Sequence, residues 1–473
     1  MKGEAGIART LLNARGPCLE NAVVVVLGYG RSGKAAAALL QRAGAKVRVT
    51  DQGCAAELGV SGEGIPGGDG WLGGDCPEVL RGADLVIASP GVPPGNPVLD
   101  EARANGLPVR SELELGWWFL DAPMIAVTGT NGKTTTVELL GAMGRAAGQR
   151  TAVAGNVGTP LSSLAGEEWD LVVAEVSSFQ LATCEEFRPD VAVLLNLGED
   201  HFDWHGNSEH YTASKRRLFA NQKPRDVAIL NGDDPVLADW AATLPAQTRL
   251  FRRHPFTGPG AFIRDGRITL VGADGATDPV FALSEWHLPG GHNLENLLAA
   301  SLAARVIGLS ADAISDGARE FRGLPHRMET VATLGGVEWV NDSKSTNPGS
   351  LAKALEAEVP TILIAGGVAK GCDFRSVRES VGKGARAVFL IGEDSSLLED
   401  AFRGATDLVR SGTLEKAVAQ AAALAQPGDR VLLSPGCASF DQFDHYAHRG
   451  ETFRDLVRQL TGGSGRKEET YEG

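Results

Sequence analysis

The stretch from Ile125 to Thr136 constrains this chain more than any other. An apolar strand candidate, Ile125 to Val127, runs into Thr128-Gly129-Thr130-Asn131-Gly132-Lys133-Thr134 and then into a helical pattern that begins with Thr135 and Thr136. A strand that ends in a glycine loop and opens a helix with Lys-Thr is phosphate-binding architecture. Backbone N–H groups at the helix N-terminus point at the anion, Lys133 reaches the terminal phosphates, and the Thr134 hydroxyl is placed to ligate Mg²⁺. The spacing departs from G-x-x-x-x-G-K-[ST], because Val127 stands where the first glycine would fall. The loop reads G-x-x-G-K-T, a variant P-loop.

A chain of 473 residues is too long for one core and predicts two to four domains. Its apolar runs are too short to span a bilayer, so no membrane insertion is expected, and residues 1–20 read as a polar extension without a signal-peptide core. The net charge of -14 argues against nucleic acid as a partner, so an anionic ligand must find its positive charge locally. Cys18, Cys54, Cys76, Cys184, Cys372 and Cys437 show no metal-ligand spacing and suit free thiols in a reducing cytoplasm.

The chain divides into three α/β patterns, with expected domains at 1–121, 122–323 and 324–473 and a disordered tail over 463–473. The first opens with the buried-strand run Ala22 to Leu27, followed by Gly28-Tyr29-Gly30-Arg31-Ser32-Gly33 and an alanine-rich helix. A second strand, Lys46 to Thr50, ends on Asp51, where a dinucleotide fold places the carboxylate that holds a ribose hydroxyl. On these residues alone a nicotinamide dehydrogenase stays open. Residues 53–75 read as glycine-rich loop, and the strand Asp84 to Ala88 opens into Ser89-Pro90-Gly91, a ligand-facing turn or an ordinary proline connection.

In the second pattern three places stand out. Glu175 closes the apolar strand Leu171 to Glu175, where a carboxylate needs a cation or a donor; Mg²⁺ and a structural ion pair are both open. Glu199, Asp200 and His201 follow the strand Val191 to Leu195 and offer oxygen and imidazole ligands within one turn. Lys215 lies on a predicted helix, and its neighbours Arg216 and Arg217 make a solvated basic face the plain reading. Short segments from Phe251 to Leu283 predict a small β region, after which Asn293 and Asn296 start a long helix. The third pattern has a hairpin around Gly335-Gly336 and strands at Thr361 to Ala365, Ala387 to Ile391 and Arg430 to Ser434. Each of these strands leads into a polar or glycine loop.

Taken together, Gly129-Thr130-Asn131-Gly132-Lys133-Thr134, Glu175 with Ser177-Ser178-Phe179-Gln180, Glu199-Asp200-His201 and His292-Asn293 resemble the Mur ligases, ATP-dependent enzymes of peptidoglycan synthesis. Leu324-Pro325-His326-Arg327, Asn341 to Asn347 and Ser434 to Phe443 resemble the branch that adds D-glutamate to UDP-N-acetylmuramoyl-L-alanine. The resemblance implies three domains: a Rossmann-like N-terminal domain, a central P-loop ATPase domain with a parallel sheet plus a small β region, and a Rossmann-like C-terminal domain. It also turns the dinucleotide fingerprint to uridine diphosphate. A folylpolyglutamate-type ligase, which shares the loop, would not need that N-terminal domain.

By motif matching, the UDP-substrate falls to Gly30, Arg31, Ser32, Asp51, Ser89, Pro90, Gly91 and Asn156. ATP falls to Gly129, Thr130, Asn131, Gly132, Lys133, Thr134, Thr135, Asn296, Arg327, Asp342 and Lys344. Two Mg²⁺ are implied, one on Thr134 and Glu175 and one on His201 with Lys215, the lysine carbamylated by CO₂ into an anionic ligand. Lys133, Glu175, His201, Lys215 and Asn156 form the implied catalytic set. His326, Thr346, Lys370, Ser439 and Tyr446 match the D-glutamate residues. Tyr446 stands where relatives often carry Phe, and Val368-Ala369 replaces a pair that often carries Asp. A cytoplasmic monomer acting on small molecules is expected.

Overall fold

The computed structural model describes residues 15–60, 65, 68–198, 207–288, 290–356 and 359–462, with no side-chain detail for 461–462. The chain divides between Phe321 and Arg322 into two compact units.

The first unit carries two sheets. One has five parallel strands in the order Gly68–Leu72, Lys46–Asp51, Val23–Leu27, Leu85–Ala88, Val109–Ser111. Its centre is the valine run, in which Val24, Val25 and Val26 are wholly buried. Full burial of each valine stabilises the fold by roughly 1.5–3 kcal/mol, which is why this run forms the middle strand. The strand Gly68–Leu72 departs from the loop expected over 53–75. Its sequence, GDGWL, has little intrinsic β preference and forms because the edge of Lys46–Asp51 offers it a parallel ladder, Val47 opposite Gly68 through Asp51 opposite Leu72.

The second sheet has nine strands, running from Thr277–Ala282 through Arg267–Val271, Gly260–Arg264, Gln247–Phe251, Val227–Asn231, Val191–Leu194, Met124–Thr128 and Leu171–Glu175 to Thr151–Gly155. Seven strands, Gly260–Arg264 through Thr151–Gly155, pair in parallel, and Arg267–Val271 and Thr277–Ala282 add two antiparallel strands at the Gly260–Arg264 edge. The small β region expected from the sequence is thus an extension of the central sheet. The helices Lys133–Ala146, Gly291–Val306 and Ala311–Glu320 pack together beside it.

Two buried carboxylates join these sheets. On the helix Glu112–Trp118, Glu112 accepts the N–H and hydroxyl of Ser162 at 2.7 and 2.5 Å. Glu114 accepts the backbone N–H groups of Glu185, Glu186 and Phe187 and pairs with Arg110. Burial pushes both carboxyls up, and the donors around each oppose it. This junction ties the helix Glu112–Trp118 to the chain at Ser162 and at residues 185–187.

The second unit holds a six-stranded sheet. Glu329–Leu334 lies antiparallel to Val337–Asn341, followed in parallel by Arg430–Leu433, Thr361–Gly366, Ala385–Ile391 and Asp407–Gly412. The helix Tyr446–Gly462 packs Phe453 and Val457 onto this sheet's core. Among the described residues no helix is long and apolar enough to cross a membrane.

Candidate active site

In the first sheet, Gly33 packs so closely that a Cβ there would lie 1.9 Å from the carbonyl oxygen of Gly28. That contact sets the helix Arg31–Arg42 against the glycine loop, as a nucleotide-binding turn requires. Asp51, at the end of Lys46–Asp51, accepts the N–H of Tyr29 and, at 2.7 Å, that of Gly53. It holds the loop in shape and faces the same strand ends as Ser89, whose hydroxyl donates to Gly28 O at 2.8 Å. Gly30 precedes the helix as its cap, Ser32 lies in its first turn, and Pro90 and Gly91 continue the facing turn. Arg31 reaches out of this sheet and donates to Gly158 O at 3.0 Å.

Gly158 belongs to the loop that also carries Asn156. The Asn156 amide donates to Glu175 Oε1 at 2.9 Å, and its backbone N–H donates to Glu175 O at 2.8 Å. Glu175 is 2% exposed, and its Oε2 is buried with no partner among the described residues. A buried carboxylate oxygen left open costs roughly 1–3 kcal/mol, so the site fits a hard cation with oxygen preference. Among the described residues the partner of the Glu175 side chain is this amide donor, and no ion pair is found. Glu175 lies opposite Val127 on the neighbouring strand, which places it beside the phosphate loop.

That loop is braced from the next strand. Asn196 accepts the N–H of Asn131 at 2.9 Å through its side chain and that of Thr130 through its carbonyl. Gly132 caps the helix Lys133–Ala146 at φ +86°, and a Cβ there would lie 2.2 Å from Asn296 Oδ1, so only glycine fits. Asn296, 3% exposed, is thereby seated against the loop from the helix Gly291–Val306. Lys133 Nζ donates to Gly129 O at 2.8 Å and to Thr130 O at 3.0 Å. Thr134 and Thr135 follow in the first helical turn.

Lys215 reverses the plain reading of its sequence. It is 1% exposed, and its ammonium donates to the same Gly129 carbonyl at 2.9 Å while lying 4.6 Å from the centre of the Tyr211 ring. The Tyr211 hydroxyl in turn bonds Thr130 Oγ1 at 2.9 Å. His201, with Glu199 and Asp200, lies outside the described residues.

In the second unit the strand-end loops form one cluster. Asp342, 6% exposed, accepts the Ser434 hydroxyl at 2.8 Å and the Met328 N–H at 3.2 Å; burial pushes its carboxyl up to about 6. Lys344 donates its N–H to His326 O. His326 is buried at φ +61°, and its Nδ1 faces the Asn341 amide at 3.0 Å. The same amide donates to Glu329 Oε2 at 3.2 Å and Gly450 O at 3.1 Å, so its two hydrogens are shared among three acceptors if Nδ1 is one of them. Burial, opposed by the Glu329 carboxylate, holds the imidazole below its usual range. Tyr446 meets the His326 ring edge-on, with the centroids 6.3 Å apart. Arg327 is exposed, Thr346 is half-buried just before the helix Pro348–Ala354, and Ser439 is 2% exposed. Lys370 is exposed at φ +51°.

Sequence reasoning missed Arg449. It is wholly buried and donates to Ser343 Oγ and O, Cys437 O and Ala438 O, tying the loop of Asp342 to that of Ser439. Burial lowers its guanidinium to about 10. The signal was its spacing, since 449, 453 and 457 share one helix face with Phe453 and Val457 in the core. Tyr211, four residues before Lys215, was legible in the same way.

Three family models match in chain order: a MurD-like N-terminal domain of Mur ligases over residues 22–111, the Mur ligase middle domain over 127–304 and the Mur ligase glutamate ligase domain over 326–437. A UDP-N-acetylmuramoylalanine–D-glutamate ligase of Acidobacterium capsulatum is 44% identical, over 93% of this chain and 96% of its own length. The chain belongs to the Mur ligase family. The Pelotomaculum thermopropionicum enzyme of the same name is 41% identical over 93% of this chain and 98% of its own. The UDP-N-acetylmuramate–alanine ligase of Thermotoga maritima has the same fold at 16% identity and a TM-score of 0.52, covering 93% of this chain and 99% of its own. MurF ligase from Thermotoga maritima, solved in complex with ADP, also scores 0.52 at 19% identity, covering 82% of this chain and 91% of its own. Mur ligases use ATP and Mg²⁺.

Proposed function

We propose that this Mur ligase joins D-glutamate to UDP-N-acetylmuramoyl-L-alanine at the expense of ATP, as a cytoplasmic monomer. The observation that carries the reading is the phosphate loop with its neighbours. Lys133 donates to the Gly129 carbonyl, beside a buried Glu175 that keeps one oxygen open for a cation. Such a site has to neutralise a triphosphate while a second anion, the substrate carboxylate, approaches it.

Gly129 to Thr135 bind the phosphates through backbone N–H groups and Lys133, and Asn296 supports the loop for the nucleotide base. Asp51, Arg31, Ser32 and the Ser89 turn receive the UDP end, and Asn156 orients Glu175 at the muramoyl carboxylate. Thr134 and Glu175 would hold one Mg²⁺, and Lys215, carbamylated by CO₂, would join His201 at a second. Bound there, Mg²⁺ neutralises phosphate charge and polarises the transferring phosphoryl group.

The carboxylate oxygen displaces ADP from the γ-phosphorus, giving an acyl phosphate. The D-glutamate amine, after losing a proton, adds to its carbonyl carbon. The tetrahedral adduct expels phosphate and leaves an amide. Arg327, Asp342 and Lys344 serve ATP, and His326, Thr346, Lys370, Ser439 and Tyr446 serve the amino acid, within a working division of 1–121, 122–323 and 324–473. The test is phosphate release across a panel of amino acids. Release is expected only with ATP, UDP-N-acetylmuramoyl-L-alanine and D-glutamate together. Faster turnover with L-glutamate or diaminopimelate would overturn the assignment.

A further inference from the structure

The amino-acid loops of the second unit carry an aromatic ring that no step above uses. Phe440, next to buried Ser439, is 65% exposed, and the Lys370 ammonium lies 5.1 Å from its ring centroid. Both residues sit on a stitched frame. Val368 and Ala438 exchange backbone hydrogen bonds at 2.9 and 3.0 Å, Asp394 Oδ2 takes the Ala369 N–H at 2.8 Å, and Asp441 Oδ2 takes the Glu393 N–H at 2.9 Å. Lys370 itself is held at φ +51°, a conformation that L residues rarely adopt and that persists where the surroundings enforce it.

We propose that Phe440 is a positioning and specificity-determining residue of the amino-acid pocket, tethering the Lys370 ammonium on its ring face. A long lysine side chain loses much rotamer freedom when it binds an anion, and a tether removes part of that loss beforehand. A carboxylate tether would cancel the charge that a dicarboxylate needs. A ring face attracts the cation and leaves its charge available. The same face gives the methylene chain of an acidic amino acid an apolar wall while its distal carboxylate pairs with Lys370.

This inference rests on the D-glutamate reading, and steady-state kinetics of the full chain separate the two. Phe440→Ala and Phe440→Leu are expected to raise the KM for D-glutamate by about 2- to 5-fold, the size of an exposed cation–π contact. Phe440→Trp is expected to keep or lower it. The KM values for ATP and the UDP-substrate and the melting temperature should stay at wild-type values, because the ring is exposed. A wild-type enzyme that ignores D-glutamate would sink the functional reading. Wild-type turnover of D-glutamate together with an unchanged KM in both Phe440→Ala and Phe440→Leu would sink the tether. Equal rises in the ATP and D-glutamate KM values would also overturn it, since they would mark a general loss of loop shape.

Discussion

Replacing Asp342 by Asn is expected to stabilise the chain more at neutral pH than near pH 4, where most of the cost of the buried charge is absent. The carboxyl is 6% exposed, and burial raises it from 3.8 to about 6 despite the Ser434 hydroxyl and the Met328 N–H. A rise of about two pH units corresponds to about 3 kcal/mol, at about 1.4 kcal/mol per unit. The sign follows from proton binding. The unfolded chain gives up this proton near 3.8 and the folded chain near 6. Between those values the folded state holds more protons, so stability falls as pH rises and the full cost is present above about pH 6. Asn keeps the shape of the fork without the charge and escapes that cost. For a unit of this size about 3 kcal/mol is worth about 6–12 °C in melting temperature. Calorimetry of both full chains at pH 4, 5, 6 and 7.5 reads the effect, and any pH-independent difference in hydrogen bonding cancels across the series. A difference in melting temperature that stays constant from pH 4 to 7.5, or that turns against the variant as pH rises, would refute the reasoning. Turnover should fall in the same variant, because a carboxylate held at a cost to stability belongs to a site that uses its charge.

Gly132→Ala puts a Cβ 2.2 Å from Asn296 Oδ1 at φ +86°, so the loop and Asn296 cannot both keep their places. An increase of at least about fivefold in the KM for ATP is expected from strain of roughly 1–3 kcal/mol, and an unaltered ATP titration would count against the close approach. For Glu175→Gln, the stabilisation that Mg²⁺ gives the wild-type chain should vanish. At a hundred times the dissociation constant that stabilisation is about 2.7 kcal/mol. A Mg²⁺-dependent melting shift that survives in the variant would remove Glu175 from the metal site.

Much of the fold was legible because buried parallel strands write themselves as apolar runs with a polar or glycine loop after them. Val23–Leu27, Leu171–Glu175 and Thr361–Gly366 all lie where the sequence puts them, to within a residue. The edge strand Gly68–Leu72 was illegible for the opposite reason: its pairing comes from a neighbour's open ladder, and nothing in GDGWL asks for a strand.

The side chains of the site divide along the same line. The glycine loop and Glu175 announce themselves, because a glycine turn and an acid inside an apolar strand are both costly without a ligand. Lys215 does not, because a lysine between a serine and two arginines reads as exposed unless the acceptor is known, and its acceptor, Gly129 O, lies 86 residues away. Arg449 is the stronger case. Its contacts with Ser343 span 106 residues, and its burial among carbonyls inverts the rule that charge faces water. A buried guanidinium that meets carbonyl oxygens must be held by a scaffold already in place, so its position is set by the loops of Asp342 and Ser439 together. The helix period could have shown that Arg449 faces inward, but only the assembled strand ends show what it meets.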